Sequence, residues 1–311
     1  MSDPLSDVVR LLRPHAAFSK GISAAGRWAV RYATFGEPSF CIVQEGRCVL
    51  AVDGEDAIAL ETGDFVLLPA TPGFLLSDGR TQLPTHIDPV QDPLPDRDVR
   101  HGVQDGPPDV RLLGGWFRFE AQEPTLLASL LPTLVHVRGV PRLSQLVTLL
   151  SDEADHDRPG RTVVLSRLVD LLLVESLRAT PGASAPPGLL RGLADARLAS
   201  SLRDLHARPA HAWTVAQLAE RAALSRSAYF ERFTRALGIA PMTYLLAWRM
   251  AMARDLLRNH RVSVAEAAEQ VGYRSVSTFS MAFQRHTGLP PRRYARQHEA
   301  DTRKTSASPS H

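Results

Sequence analysis

The sequence predicts a two-domain α+β protein: a small β-barrel with appended helices, then an all-α domain made of a duplicated two-helix unit. Three observations carry this. Residues 214–296 repeat themselves, residues 28–76 alternate short apolar runs with turn signals, and the charge reverses between the halves. Residues 1–188 hold 17 Arg/Lys and 24 Asp/Glu, while residues 189–311 hold 19 and 9. A chain of 311 residues suits two domains.

Leu5–Leu12 reads as an amphipathic helix with Leu5, Val8, Val9 and Leu12 on one face. Strands are expected at Phe40–Gln44, Arg47–Val52, Ala57–Leu60 and Phe65–Leu68, separated by Glu45-Gly46, Asp53-Gly54 and Thr62-Gly63-Asp64. Many short strands of this kind build a barrel or sandwich. Residues 77–110 are rich in Pro, Asp and Gly and read as a mobile loop or lid, with disorder the blander form. Leu112–Glu120 returns as a strand, and Leu126–Leu131 begins the helical part. Helices follow at Leu143–Leu150 and Thr162–Arg178, the second apolar around more than half its circumference. That surplus face is expected either to complete an internal core or to pair with a second subunit, making about 143–178 a dimerisation element.

Residues 183–189 read as a linker, within a Pro/Gly/Ser/Ala stretch that begins near 180. Beyond it, Leu190–Ala207 is expected as one helix, and Pro241–Arg258 as a connecting helix with Tyr244, Leu245, Trp248, Met252 and Leu256 inward. The tail 299–311 has nothing to pack and is expected to be disordered.

The repeat fixes the rest. Thr214, Val215, Ala216, Ala219 and Glu220 recur 49 residues later as Ser263, Val264, Ala265, Ala268 and Glu269. After one inserted residue the offset is 50: Ser225/Ser275, Phe233/Phe283, Gly238/Gly288 and Tyr244/Tyr294. Thr214-x-x-Gln217 and Ser263-x-x-Glu266 are capping boxes, and Ser225 and Ser275 are N-cap candidates for the helices that follow. Gly272 offers the left-handed residue that stops a first helix; Gly238 and Gly288 end the second helices. Two helices, a tight turn and one free face make a helix-turn-helix, whose second helix fits the major groove. The units span about 214–237 and 263–287. The basic C-terminal half favours duplex DNA over a helical repeat that packs on another protein.

Gly272-Tyr273-x-Ser275-x3-Phe279-x3-Phe283-x4-Gly288-x2-Pro291-x2-Tyr294 resembles the second unit of AraC/XylS-family transcription regulators. The likeness runs from near Leu190 to Arg296, with Ala295 where the family commonly carries Arg. Leu60-Glu61-Thr62-Gly63-Asp64-Phe65-Val66-Leu67-Leu68-Pro69 resembles the cupin domain that often precedes such a module. The resemblance implies a cupin-like sensor and dimerisation domain (1–182) and an AraC-type DNA-binding domain (190–298). It implies base reading by outward residues of the two second helices: Ser227, Phe230 and Glu231, then Ser277, Thr278, Ser280 and Met281. Glu231 and Met281 stand where the family often has basic residues; Glu accepts from cytosine N4 and an apolar side chain contacts a thymine methyl. Arg226, Arg232, Arg235, Arg274 and Arg285 are candidate phosphate contacts.

Cupin enzymes bind metal through a G-x5-H-x-H-x3,4-E-x6-G run, which this chain lacks; His15, His86, His101 and His136 are isolated. No metal, no cofactor and no enzyme activity are expected, although a cupin enzyme with a helical appendage remains an alternative. The barrel interior is expected to hold an unidentified small-molecule effector near Cys41, Val43, Cys48, Leu50 and Phe74. If Glu45-Gly46 is a two-residue hairpin, Cys41 pairs with Leu50 and Val43 with Cys48, leaving the thiols diagonal neighbours. They read either as core residues or as a redox- or electrophile-sensing pair. Two cysteines imply no disulfide framework, no 18-residue apolar run exists, and the N-terminus lacks a signal-peptide core. The expectation is therefore a cytoplasmic, homodimeric activator acting on promoter DNA and RNA polymerase, with no membrane partner.

Overall fold

The computed structural model describes residues 3–89, 98–119, 131–180, 182, 185–259 and 262–296. Contacts divide the chain into two units: Leu12–Pro186, and Met1–Leu11 together with Pro187–His311. The expected first domain began at residue 1, so its opening helix groups instead with the C-terminal unit.

The N-terminal unit is two facing sheets. Its strands are β1 (Pro14–Ala25), β2 (Ala29–Tyr32), β3 (Ser39–Glu45), β4 (Arg47–Val52), β5 (Ile58–Glu61), β6 (Asp64–Leu68), β7 (Phe74–Ser77), β8 (Thr85–Ile87), β9 (Val99–Gly102), β10 (Val110–Phe119) and β11 (Val135–Arg138). One sheet runs β11-β6-β3-β10-β1-β9 and the other β5-β4-β7-β2-β8. Both are open among the described residues, so the expected cupin-like β-barrel takes the form of two facing sheets that do not close.

The Glu45-Gly46 hairpin is corrected too. β3 pairs with β10 and β6, whereas β4 pairs with β5 and β7, so the turn is a corner between sheets. Cys41 and Leu50 are therefore not ladder partners. The described parts of 77–110 carry two strands: β8 lies parallel to β2 and β9 parallel to β1. The expected helix start at 126–131 and the tail at 299–311 lie wholly or almost wholly outside the described residues.

Val30, Val43, Leu50, Leu60, Val66 and Leu112 meet between the sheets in the core of this unit. Asp64, only 1% exposed, fastens β6 to β11. It takes Arg138 Nε and Nη2 at 3.0 Å each, His136 Nε2 at 3.1 Å and the Glu61 amide at 3.0 Å. Burial alone would raise its pKa, but these donors hold the carboxyl below the usual range. α2 (Pro141–Asp155) and α3 (Arg161–Ala179) pack on each other, and both touch β1. Leu165, Val169, Leu172, Leu173 and Leu177 of α3 are buried, while Val163, Val164 and Leu171 are exposed.

The C-terminal unit begins with α1 (Pro4–Leu12), whose apolar face is buried as its periodicity requires. Asp7 Oδ2 lies 3.3 Å from Nδ1 of His206, whose ring stacks on Trp248 and whose Nε2 is 2.6 Å from the Tyr244 hydroxyl. Burial lowers the His206 pKa, opposed by Asp7. The expected single helix over 190–207 is corrected to α4 (Leu189–Ala194) and α5 (Ala196–Ala207). Asp195 breaks it by capping α5, accepting from the Arg197 and Leu198 amides. Then come α6 (Val215–Arg221), α7 (Arg226–Leu237), α8 (Pro241–Asn259), α9 (Val264–Gln270) and α10 (Val276–Thr287), with a further helical turn at 291–296. No helix among the described residues is long and apolar enough to cross a membrane.

Candidate nucleic-acid interface and sensor cavity

The two repeats fold alike, down to single hydrogen bonds. Each box is closed: the Thr214 amide donates to Gln217 Oε1 (2.9 Å) and the Ser263 amide to Glu266 Oε2 (2.7 Å), with both reverse bonds at 3.2 Å. After α6, Ala223 and Leu224 donate to the Glu220 and Ala219 carbonyls; after α9, Gly272 and Tyr273 donate to those of Glu269 and Ala268. The offset is 49 throughout. Ala223 holds φ +51° where the second copy has Gly272 at +85°. Ser225 and Ser275 then cap α7 and α10, which end on left-handed Gly238 and Gly288.

Tyr229 and Phe233 on α7, and Phe279 and Phe283 on α10, are fully buried at i, i+4 spacing. α8 serves both cores. Its Tyr244 meets Phe233 edge-on at 5.8 Å, while Met250, Ala253 and Leu257 pack with Phe279 and Phe283. As expected, Tyr244, Leu245 and Trp248 are buried, and Met252 and Leu256 are half-buried against the second core.

On the outer faces, Ser227, Phe230 (45% exposed), Glu231, Ser277, Thr278 and Met281 (64%) are all exposed. Phe230 and Met281 are large apolar side chains held in water, as is Val276 at the start of α10. Ser280 is half-buried and donates to the Val276 carbonyl at 2.7 Å. Arg226, Arg235, Arg274 and Arg285 are exposed, with no carboxylate partner among the described residues. Arg232 differs: its Nε lies 2.6 Å from Asp195 Oδ2, so it fastens α7 to the α5 cap. Against desolvation, Arg232 and the two amides keep the Asp195 carboxyl below the usual range.

The sandwich contains a cavity between its sheets, lined mainly by apolar side chains. Of the residues expected there, Cys41, Leu50 and Phe74 line it; Val43 and Cys48 sit in the adjoining core. Residue patterning did not single out Lys20, Tyr32 or Trp116, which also line it. Tyr32 stacks on Phe74 at 4.7 Å. Burial pushes the Cys48 thiol up to about 12, aided by Asp64, and burial with Cys48 raises Cys41 as well. Both are protonated at neutral pH, unlike reactive thiolates. Among the described residues no three His, Cys, Asp or Glu side chains are placed to hold a metal ion.

A duplicated helix-turn-helix with two partly basic outer faces, in one chain with a β-sandwich that encloses a cavity, is the build of a two-domain DNA-binding regulator. The chain matches the cupin family over residues 3–180 and the helix-turn-helix domain family over 218–297. It is 38% identical over 299 residues to a Streptomyces antibioticus protein named as an AraC-like transcription regulator, covering 94% of this chain and 98% of that one. A Streptomyces lividans protein of the same description is 37% identical, covering 94% and 97%. Among solved structures, the DNA-binding domain of AdpA in complex with a target DNA is 30% identical, covering 33% of this chain and 93% of that one, at a TM-score of 0.32. The chain belongs to the AraC family of DNA-binding transcription regulators, and it is not an enzyme.

Proposed function

We propose that the protein is an effector-responsive activator that reads promoter DNA with α7 and α10. The observation that carries this is the exposure of Phe230 and Met281 on the outer faces of two groove-sized helices whose other faces are core. Ser227, Phe230, Glu231, Ser277, Thr278 and Met281 read bases. Arg226, Arg235, Arg274 and Arg285 neutralise phosphates, a role from which the Asp195 pair withdraws Arg232. Ser280 keeps a secondary place because its hydroxyl is already engaged.

The cavity between the sheets takes the effector, and occupancy changes DNA affinity or recruitment of RNA polymerase. Two copies associate through the apolar face left on α2 and α3 by Leu149, Val163, Val164 and Leu171. The cysteine-sensor alternative is disfavoured by the raised pKa values of a buried Cys48 and a half-buried Cys41. The test is binding of the full chain to the duplex upstream of its own gene, followed against salt. Each lost phosphate contact flattens the slope of log K against log salt by about 0.9. The alanine variants of Arg226, Arg235, Arg274 and Arg285 should each do so; a salt-independent affinity would reject the reading.

A further inference from the structure

Among the described residues Lys20 is the one charged residue lining the cavity between the sheets, and it is only 8% exposed. The register shows why it faces inward. Lys20 on β1 is opposite Gly114 on β10, Gly114 is opposite Cys41 on β3, and Cys41 is opposite Val66 on β6. The four form one cross-strand row on the inner face, since side chains directly opposite share a face. Gly114 leaves the gap in that row, because it contributes no side chain between the ammonium stem and the thiol. Tyr32 and Phe74 face this row from the second sheet, and Trp116, two residues beyond Gly114, extends the wall on the same side.

The ammonium has no acidic partner among the described residues, and no Asp or Glu lines the cavity. Asp98 is close in β-sheet terms but serves the other face: its Oδ1 accepts from the Gly21 amide at 2.9 Å, and Gly21 points opposite to Lys20. His101 supplies no counter-charge, because an imidazole is either neutral or cationic; burial and then Lys20 lower its pKa. Burial also lowers the Lys20 pKa. Burying an ammonium without a counter-charge is costly, and an anion held in the cavity would offset that cost.

We propose that the cavity binds a hydrophobic monocarboxylate, its apolar body between Tyr32, Phe74 and Trp116 and its carboxylate on Lys20. This rests on reading the N-terminal unit as the effector-binding part, and narrows it to one ligand chemistry. An aliphatic or an arylalkanoic acid would satisfy it, and the apolar body alone distinguishes them.

The experiment is calorimetric titration of the full chain with octanoate, 4-phenylbutyrate, octan-1-ol and octylammonium. Octanoate or 4-phenylbutyrate should bind one per chain at least about tenfold more tightly than octanol, as expected for a charged hydrogen bond in a dry site. Octylammonium should not bind, and the tighter of the two acids identifies the body. Lys20→Met should reduce the acid to the affinity of the alcohol while leaving the alcohol unchanged, and Lys20→Arg should keep the preference. Equal affinity for acid and alcohol, no binding of either acid, or an intact preference in Lys20→Met would each overturn the proposal. Should Lys20→Met not fold, the acid-to-alcohol ratio of the unaltered protein decides alone. DNA affinity is measured on the same samples with and without acid. Acid binding that leaves DNA affinity and transcription unchanged would sink the effector reading and spare the site, whereas DNA binding without acid preference would do the reverse.

Discussion

The two helix-turn-helix units share a backbone plan and meet its demands with different residues. The first closes its capping box with Gln217, the second with Glu266. The first turns after α6 on Ala223 in a left-handed conformation, the second on Gly272. On the outer faces, Phe230 and Glu231 of the first stand against Ser280 and Met281 of the second. What stays constant is what folding needs: an aromatic pair inward, a hydroxyl cap and a glycine stop. What varies is either chemically equivalent at that position or faces outward, so the duplication separates fold-determining residues from candidate sequence-reading ones.

The comparison is sharpest in the cores. Phe233→Ala and Phe283→Ala each remove a fully buried ring and should cost about 3–5 kcal/mol, measured by urea denaturation of the full chain. Unequal costs would mean that one unit is merely carried by the other. Next come the turns. A Cβ on Gly272 would lie 2.5 Å from the Ala210 carbonyl oxygen in a backbone conformation that already disfavours it. Gly272→Ala should therefore lose about 2 kcal/mol or more, whereas Ala223→Gly should stay within about 1 kcal/mol of neutral, because relief of strain offsets a more flexible unfolded chain.

The caps follow. Thr214→Ala and Ser263→Ala should each cost about 1 kcal/mol. Only the second box responds to acid. Its Glu266 carboxyl is held below the usual range by the Ser263 amide and hydroxyl. A depressed carboxylate stabilises above its ordinary pKa, about 4.3, and loses that contribution as pH falls through the lower folded value. Exchange protection of the Ser263 amide should therefore fall below about pH 4 while that of Thr214 holds, and Glu266→Gln should abolish the difference.

The helical repeat was legible because its signals are local: Thr214 with Gln217, Ser263 with Glu266, and Gly238 and Gly288 each lie within a few residues of what they control. Asp195 was also a local signal, a good N-cap, but the leucine stripe from Leu190 to Leu205 runs on through it and masks the break. The sheet was less legible, because pairing is decided at a distance. Glu45-Gly46 has hairpin chemistry, yet β3 takes both its partners, β10 and β6, from distant sequence. β8 and β9 are short, largely polar edge strands inside a proline-rich stretch and carry no alternating pattern. A lone lysine at position 20 reads as a surface residue until the row through Gly114 and Cys41 is known. Charge alone could not separate Arg232, already paired with Asp195, from the free arginines beside it.

α7 and α10 are two candidate reading heads that flank the α8 rod. α8 has 19 residues, about 28 Å at 1.5 Å per residue, close to one turn of B-DNA at about 34 Å. Hydroxyl-radical footprinting of the full chain on its own upstream duplex tests this most directly. Two protected segments on one face of the helix, about 10 base pairs apart, are expected, with Phe230→Ala weakening contact in one and Met281→Ala in the other. A single protected segment, or two that weaken together whichever residue is changed, would contradict it.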